Sequence, residues 1–137
     1  MRTPGLLAAL FIVAAAGAGA EGDPTRRAER LPPTRIDAAS GFSVRDYELE
    51  AGIYYRWRLS GDGIEEYEVS AEELFANSWL DKVSIGEAAF SMRRLEQIEL
   101  GGEDEVDVWF VPVRPGDYAF EVEGRHEEGF TGVMHVR

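Results

Sequence analysis

An alternation of apolar and polar side chains with a period of two, from Gly41 onward, most constrains what this chain can fold into. Residues 54–59 (YYRWRL) and 118–123 (YAFEVE) both place a large apolar side chain at every second position. Successive side chains of a β-strand point to opposite faces, so this pattern is typical of a strand with one face buried. The sequence therefore predicts half-buried antiparallel strands.

Turn residues separate these strand-like segments. They occur in residues 60–63 (SGDG), 101–104 (GGED) and 114–117 (RPGD), and glycine, proline and aspartate are residues that tight turns favour. Residues 106–111 (VDVWFV) are apolar except for Asp107, which indicates a more central strand that is covered on both faces at one end. Short strands separated by turns predict a β-sandwich.

One short helix is expected between the strands. Ser70 is followed three residues later by Glu73, which is the spacing of a capping box, and the next two residues are apolar and can dock on a sheet edge. We therefore predict a helix over residues 71–76. The segment 77–94 fits either a strand or another helical turn, and both alternatives stay open.

The amino terminus has the organisation of a secretory signal over residues 1–20. A basic start precedes an apolar run at residues 6–16 (LLAALFIVAAA), and Ala18 and Ala20 supply the small residues that precede a cleavage site. The alternative is an uncleaved membrane anchor, but the run is shorter than the ~20 residues that span a bilayer. We predict cleavage after Ala20, no membrane insertion of the mature chain, and export to the periplasm or the medium.

Residues 21–40 have the composition of a flexible linker. They contain three prolines, few large apolar side chains, and four arginines against four acids, so they bury little surface to offset the entropy of ordering. The sequence thus predicts a signal at 1–20, a linker at 21–40 and one domain at 41–137.

Charge and cysteine content exclude several classes of function. The chain has 14 basic and 26 acidic residues, a net charge of −12, which becomes −13 when Arg2 is removed with the signal. Nucleic acid and anionic membranes would be repelled by such a chain. The absence of cysteine excludes disulfides, zinc–thiolate sites and cysteine nucleophiles.

A collinear series of residues in the last third of the chain resembles the closing segment of the cupredoxin family, the plastocyanin- and azurin-type copper proteins. Residues 110–122 read FVPVRPGDYAFEV, and His126, Gly129, Phe130, Gly132 and Val136 follow. The family pattern is F-x-P-x-x-P-G-x-Y-x-F-x-C, then a histidine, G-M-x-G and a last strand ending in valine.

Two upstream segments extend the resemblance over most of residues 41–137. Residues 49–52 (LEAG) are similar to the family's L-x-A-G, and residues 66–69 (EYEV) are similar to its E-H-E-F segment. The resemblance implies an all-β fold, a cupredoxin-like Greek-key β-sandwich with one short helix.

The copper ligands implied by the resemblance are largely lost. The thiolate cysteine falls on Val122, the first histidine on Tyr67, the second histidine on His126 and the axial methionine on Phe130. A blue copper site needs the thiolate together with two imidazoles. The resemblance therefore implies the fold without the electron-transfer chemistry, and no cofactor is expected.

The imidazole of His126 leaves an alternative open. It could be a remnant ligand in a copper- or iron-binding or trafficking protein, or a loop histidine without a ligand role, which we favour because a lone imidazole is a poor chelator. His135 is expected to be exposed and incidental. The carboxylates that could assist His126 are those of Glu66, Glu123, Glu127 and Glu128.

Catalysis is not expected from this sequence. The acidic clusters at residues 65–68, 103–105 and 127–128 offer oxygen ligands for hard cations such as calcium or ferric iron, but a solvated polar face explains them as well. No Ser-His-Asp set is credible with two histidines so close together. The sequence favours a metal-free binding or accessory module for an unidentified protein partner.

The large aromatic side chains are expected to form the core. In a small sandwich most large rings are buried, so Trp57, Trp79 and Trp109 are predicted core residues. Tyr54 is the candidate for exposure, because the alternation places its side chain on the opposite face of the strand from Tyr55, Trp57 and Leu59.

Overall fold

Two facing β-sheets and one short helix make up the part of the chain that the computed structural model describes, residues 25–137. The predicted signal at residues 1–20 lies outside these described residues. In chain order the elements are β1 (Glu29–Arg30), β2 (Thr34–Asp37), β3 (Gly41–Phe42), β4 (Asp46–Leu49), β5 (Tyr55–Ser60), β6 (Tyr67–Ser70), α1 (Glu72–Ala76), β7 (Ser78–Ile85), β8 (Ala88–Phe90), β9 (Gln97–Leu100), β10 (Glu105–Pro112), β11 (Gly116–Val122) and β12 (Thr131–Val136).

The strand order confirms the predicted β-sandwich. The first sheet has the order β3-β2-β5-β10-β7-β8, with β1 also paired to β5, and the second has the order β4-β12-β11-β6-β9. The strand β10 pairs with β5 on one side and β7 on the other, which confirms the central strand expected from its apolar sequence. On β5 the buried positions alternate with half-buried ones, as the period of two predicts.

The core between the sheets is built around aromatic rings. Trp57 of β5 and Phe120 of β11 meet edge to face with ring centroids 5.3 Å apart, which links the two sheets directly. Phe42 packs on the other side of Phe120 at 4.9 Å. The indole N–H of Trp57 donates a hydrogen bond of 2.8 Å to Oγ1 of Thr34, so the polar atom of this buried ring is satisfied.

The segment 21–40, expected to be a flexible linker, contains two strands of the first sheet. The strands β1 and β2 both pair in parallel with β5, and Ile36 on β2 is completely buried. The amide of Glu29 donates to the carbonyl of Tyr54 at 2.8 Å. The composition did not indicate these strands, because main-chain pairing and one buried isoleucine do not require a segment rich in apolar residues.

The short helix α1 is confirmed, but its expected capping box does not form. The N-cap position is Ala71, and no side chain caps the helix. Ser70 belongs instead to the end of β6, where it pairs with Gln97 and Glu121 of the neighbouring strands. Sheet pairing therefore takes Ser70 away from the helix terminus.

The segment 77–94 contains the β7–β8 hairpin, and β7 has a bulge beside Tyr54. The pairing of β7 with β10 shifts register between Trp109 and Phe110, which leaves Asp81 as the extra residue. The hydroxyl of Tyr54 donates to Oδ2 of Asp81 at 2.5 Å, and Tyr54 is only 8% exposed. The predicted exposure of Tyr54 is therefore wrong.

Candidate functional site

The residues aligned with the cupredoxin ligands lie at the ends of three neighbouring strands. Val122 is the last residue of β11, Tyr67 is the first of β6, and Phe130 immediately precedes β12. The amide of Val122 donates to the carbonyl of Phe130 at 3.0 Å. Because β11 runs antiparallel to both β6 and β12, these three strand ends lie together at one end of the second sheet.

Three of the four positions that the resemblance aligns with copper ligands are occupied by packed side chains. Tyr67 is 1% exposed, Val122 3% and Phe130 2%, and all three belong to the same apolar core. The fourth position, His126, lies in the loop between β11 and β12 and is exposed. The structure thus brings the first three into one core and leaves His126 at the surface.

The hydroxyl of Tyr67 is held by Asp62. It donates to Oδ2 of Asp62 at 2.9 Å, and burial, together with this carboxylate, raises the pKa of Tyr67 to about 12. The backbone amides of Ile64 and Ala38 donate hydrogen bonds to the Asp62 carboxylate. These bonds outweigh the effect of desolvation and lower the pKa of Asp62 to about 2. Tyr67 is therefore a neutral, hydrogen-bonded core residue at ordinary pH.

Arg125 covers the outer side of this cluster. Its guanidinium lies 4.9 Å from the centroid of the Phe130 ring and forms an ion pair with Glu65. The positive charge of the same arginine opposes, as the smallest contribution, the rise in the pKa of Tyr67. The end of the sandwich is consequently closed by packing and by one cation over a ring.

This donor set does not fit a blue copper centre. It offers one imidazole, on His126, and neither a thiolate nor a thioether among the other positions. Among residues 25–137, no group of three or more His, Asp or Glu side chains is arranged to hold a metal ion.

His135 differs from the sequence expectation of an exposed, incidental residue. It is half-buried on β12, between the two strands that flank it. Its Nδ1 lies 2.8 Å from Oδ1 of Asp117 on β11, and its Nε2 lies 3.3 Å from Oδ1 of Asp46 on β4. These two carboxylates raise the pKa of His135 above its usual value of 6.5. The sequence could not reveal this group, because its members come from three separate strands.

Replacing Asp117 with asparagine is expected to lower the pKa of His135 toward 6.5, since Asp117 makes the largest contribution to the shift. In the native protein the raised pKa means that protonated His135 stabilises the fold below its unfolded-state pKa. That contribution disappears as the pH rises through the folded-state pKa. The imidazole proton chemical shifts, followed by NMR over pH 5 to 9, report the pKa directly. An unchanged His135 titration would contradict the contact. Asp104→Asn is the control, because Asp104 is exposed between β9 and β10 and is not among the groups that shift the pKa of His135.

The outer face of the first sheet carries a second group that the sequence did not predict. The ring of Trp109 lies between the guanidinium of Arg56, 5.1 Å from the ring centroid, and the ammonium of Lys82, at 4.7 Å. Trp79 is also on the outside and is 45% exposed. The prediction that Trp79 and Trp109 are core residues is therefore wrong, whereas the same prediction for Trp57 is confirmed.

Asp107 organises the arginines of this face. It is only 6% exposed, and its carboxylate accepts hydrogen bonds from Arg56 at 2.6 Å and from Arg58 at 2.9 and 3.0 Å. Burial by itself raises the pKa of Asp107, but the hydrogen bonds from Arg58 and Arg56 outweigh it and the pKa is lowered. The sequence feature that could have indicated this group is a single acidic residue in an apolar strand. The arginines that it contacts are two residues apart on β5.

The two sheets and the short helix between β6 and β7 define a cupredoxin-like β-sandwich domain. Solved structures with this fold agree. The multi-copper oxidase from Pseudomonas thermotolerans is 17% identical with a TM-score of 0.60, over 85% of this chain and 31% of that protein. The multicopper oxidase from Campylobacter jejuni is 12% identical with a TM-score of 0.57, over 82% of this chain and 31% of that protein.

A copper nitrite reductase from Nitrosomonas europaea is 16% identical with a TM-score of 0.53, over 66% of this chain and 32% of that protein. The chain thus spans about a third of the length of these structures. No protein-family model matches the chain, and no curated protein does. Within residues 25–137, no helix is long and apolar enough to cross a membrane.

Proposed function

We propose that this chain is an exported, cupredoxin-like binding or accessory module that works without a metal ion and serves a protein partner. The observation that carries the proposal is the packing of Tyr67, Val122 and Phe130 into the core at three of the four ligand positions. A copper ion there would need the two apolar side chains to be displaced and would find no soft donor in their place.

The polar groups of Tyr67 and Arg125 already have partners within the domain. The hydroxyl of Tyr67 is bonded to Asp62, and the guanidinium of Arg125 is engaged by Glu65 and by the Phe130 ring. Among the four positions aligned with the ligands, only His126 presents an exposed donor, and a single neutral imidazole binds copper weakly. These contacts support a structural role for the former ligand region.

Export, a non-catalytic role and the class of partner are further parts of the proposal. Export is supported by the signal-like pattern of residues 1–20. The strongly acidic net charge supports a protein partner over nucleic acid or an anionic membrane. The proposal contains no reaction, because no nucleophile with an adjacent base is apparent in the sequence.

Calorimetric titration with cupric and ferric ions tests the metal-free function. We expect only weak binding, with no intense thiolate-to-copper absorption band, and no measurable change when His126 is replaced by alanine. His135→Ala is the matched control, because it removes the other imidazole. Tight one-to-one binding that His126→Ala abolishes and His135→Ala preserves would contradict the proposal. It would establish instead a copper- or iron-binding protein that uses His126 with nearby carboxylates.

A further inference from the structure

An open pocket on the first sheet is lined by arginines in an otherwise acidic protein. Its volume is about 170 Å³, and we call it the arginine pocket. Although the whole chain has a net charge of −12, no acidic side chain of residues 25–137 lines this pocket. Its lining residues are Arg30, Leu31, Pro33, Arg56 and Arg58.

The fold, and not the local sequence, brings the three arginines together. Arg56 and Arg58 are two residues apart on β5 and therefore share a face. The parallel pairing of β1 with β5 places Arg30 in register with Arg56. Like charges on adjacent strands disfavour pairing, so the placement of Arg30 beside Arg56 is by itself unfavourable.

Two of the arginines are fixed in position before any ligand arrives. Asp107 engages Nη2 of Arg56 and both Nε and Nη2 of Arg58, and the Trp109 ring lies against the guanidinium of Arg56. A guanidinium has five N–H donors, so Arg56 retains donors beyond those given to Asp107. Fixed donors lose less side-chain entropy when they bind an anion.

Residues 25–137 do not fully neutralise the local charge. The three guanidinium groups face two carboxylates, those of Asp107 and of Glu105, which lies 3.3 Å from Arg58. One positive charge therefore remains, and Arg30 forms no ion pair within residues 25–137. Leu31 and Pro33 complete the lining with apolar surface.

We propose that the arginine pocket binds the oxyanion head group, carboxylate or phosphate, of a small organic anion. The forked guanidinium groups match such oxygens in pairs, and Leu31 and Pro33 contact the apolar part of the ligand. This inference gives the proposed binding module a ligand class and rests on that proposal. The pocket shares no residue with the former copper-ligand positions.

Titration of the purified chain at low ionic strength tests the pocket, with sodium hexanoate and inorganic phosphate as probes. The side-chain Nε–Hε NMR signals of Arg30, Arg56 and Arg58 are followed. We expect saturable shifts of these signals with at least one probe, and the tighter probe identifies the preferred head group. Arg30→Gln should weaken binding about fivefold, because it removes a charged donor at a solvent-accessible site.

Arg35→Gln is the matched control, since Arg35 is also an exposed strand arginine in register with β5, opposite Ser60, but does not line the pocket. It removes the same charge and should change the affinity less than about twofold. Shifts that do not saturate with either probe, or equal weakening by the two variants, would overturn the inference. If neither anions nor copper bind, the anion pocket is refuted and the metal-free function stands. If copper binds tightly, the metal-free function is refuted, whether or not the anions bind.

Discussion

Replacing Gly132 with alanine is expected to destabilise the domain by about 3 kcal/mol. Gly132 on β12 lies opposite Phe120 on β11, and a Cβ added there would lie 2.6 Å from Cε1 and Cε2 of that ring and closer still to Cζ. The ring cannot move away, because Trp57 and Phe42 pack against it from other sides. Urea unfolding, followed by circular dichroism, measures the loss.

Two variants identify the clash as the cause. Gly101→Ala adds the same methyl group where the nearest atom, Cγ of Glu66, is 4.0 Å away, so we expect a change within about 0.5 kcal/mol. The double variant Gly132→Ala with Phe120→Leu has a smaller side chain opposite the new methyl group. Its loss of stability should be smaller than the sum of the losses of the two single variants. If Gly132→Ala is as stable as the native protein, the register of β11 and β12 described above is wrong.

A cupredoxin-type copper site is expected to form when three positions are restored together, as Tyr67→His, Val122→Cys and Phe130→Met. The native residues belong to one core at the ends of β6, β11 and β12, and His126 supplies the fourth ligand from the connecting loop. With cupric ion the triple variant should show an intense thiolate-to-copper absorption band, which no single variant should show.

The same triple variant should be less stable than the native protein without metal. The variant loses two buried rings, the hydrogen bond from Tyr67 to Asp62 and the contact of Arg125 with Phe130. We expect each lost ring to lower the free energy of unfolding by about 1–4 kcal/mol. Copper that binds only the folded state should recover part of this loss and raise the melting temperature.

The visible spectrum and thermal melts with and without cupric ion decide the outcome. Adding His126→Ala to the triple variant is the control, and it should weaken copper binding and change the absorption band. A triple variant that folds well but gains neither the band nor copper-dependent stability would show that the four positions do not converge. In that case the residue-by-residue assignment of ligand positions would fail, while the cupredoxin-like fold would stand.

The sequence by itself determined the class of the fold and several of its strands, among them β5, β10 and β11. The alternation on β5 and β11, the apolar run of β10 and the turn residues are local signals, because each records the burial of a side chain relative to its immediate neighbours. The collinear series ending at Val136 predicted the cupredoxin-like topology in a different way, through its resemblance to that family.

Only the tertiary structure decided which polar groups meet and which segments join a sheet. Asp107 and Arg56 are 51 residues apart, and the strand β1 joins β5 through main-chain bonds that place Arg30 beside Arg56. Asp81 is the extra residue of the bulge in β7, and its carboxylate accepts the hydrogen bond of the Tyr54 hydroxyl. Such contacts depend on register and strand order, which minimise the free energy of the whole chain and leave no periodic trace in any one segment.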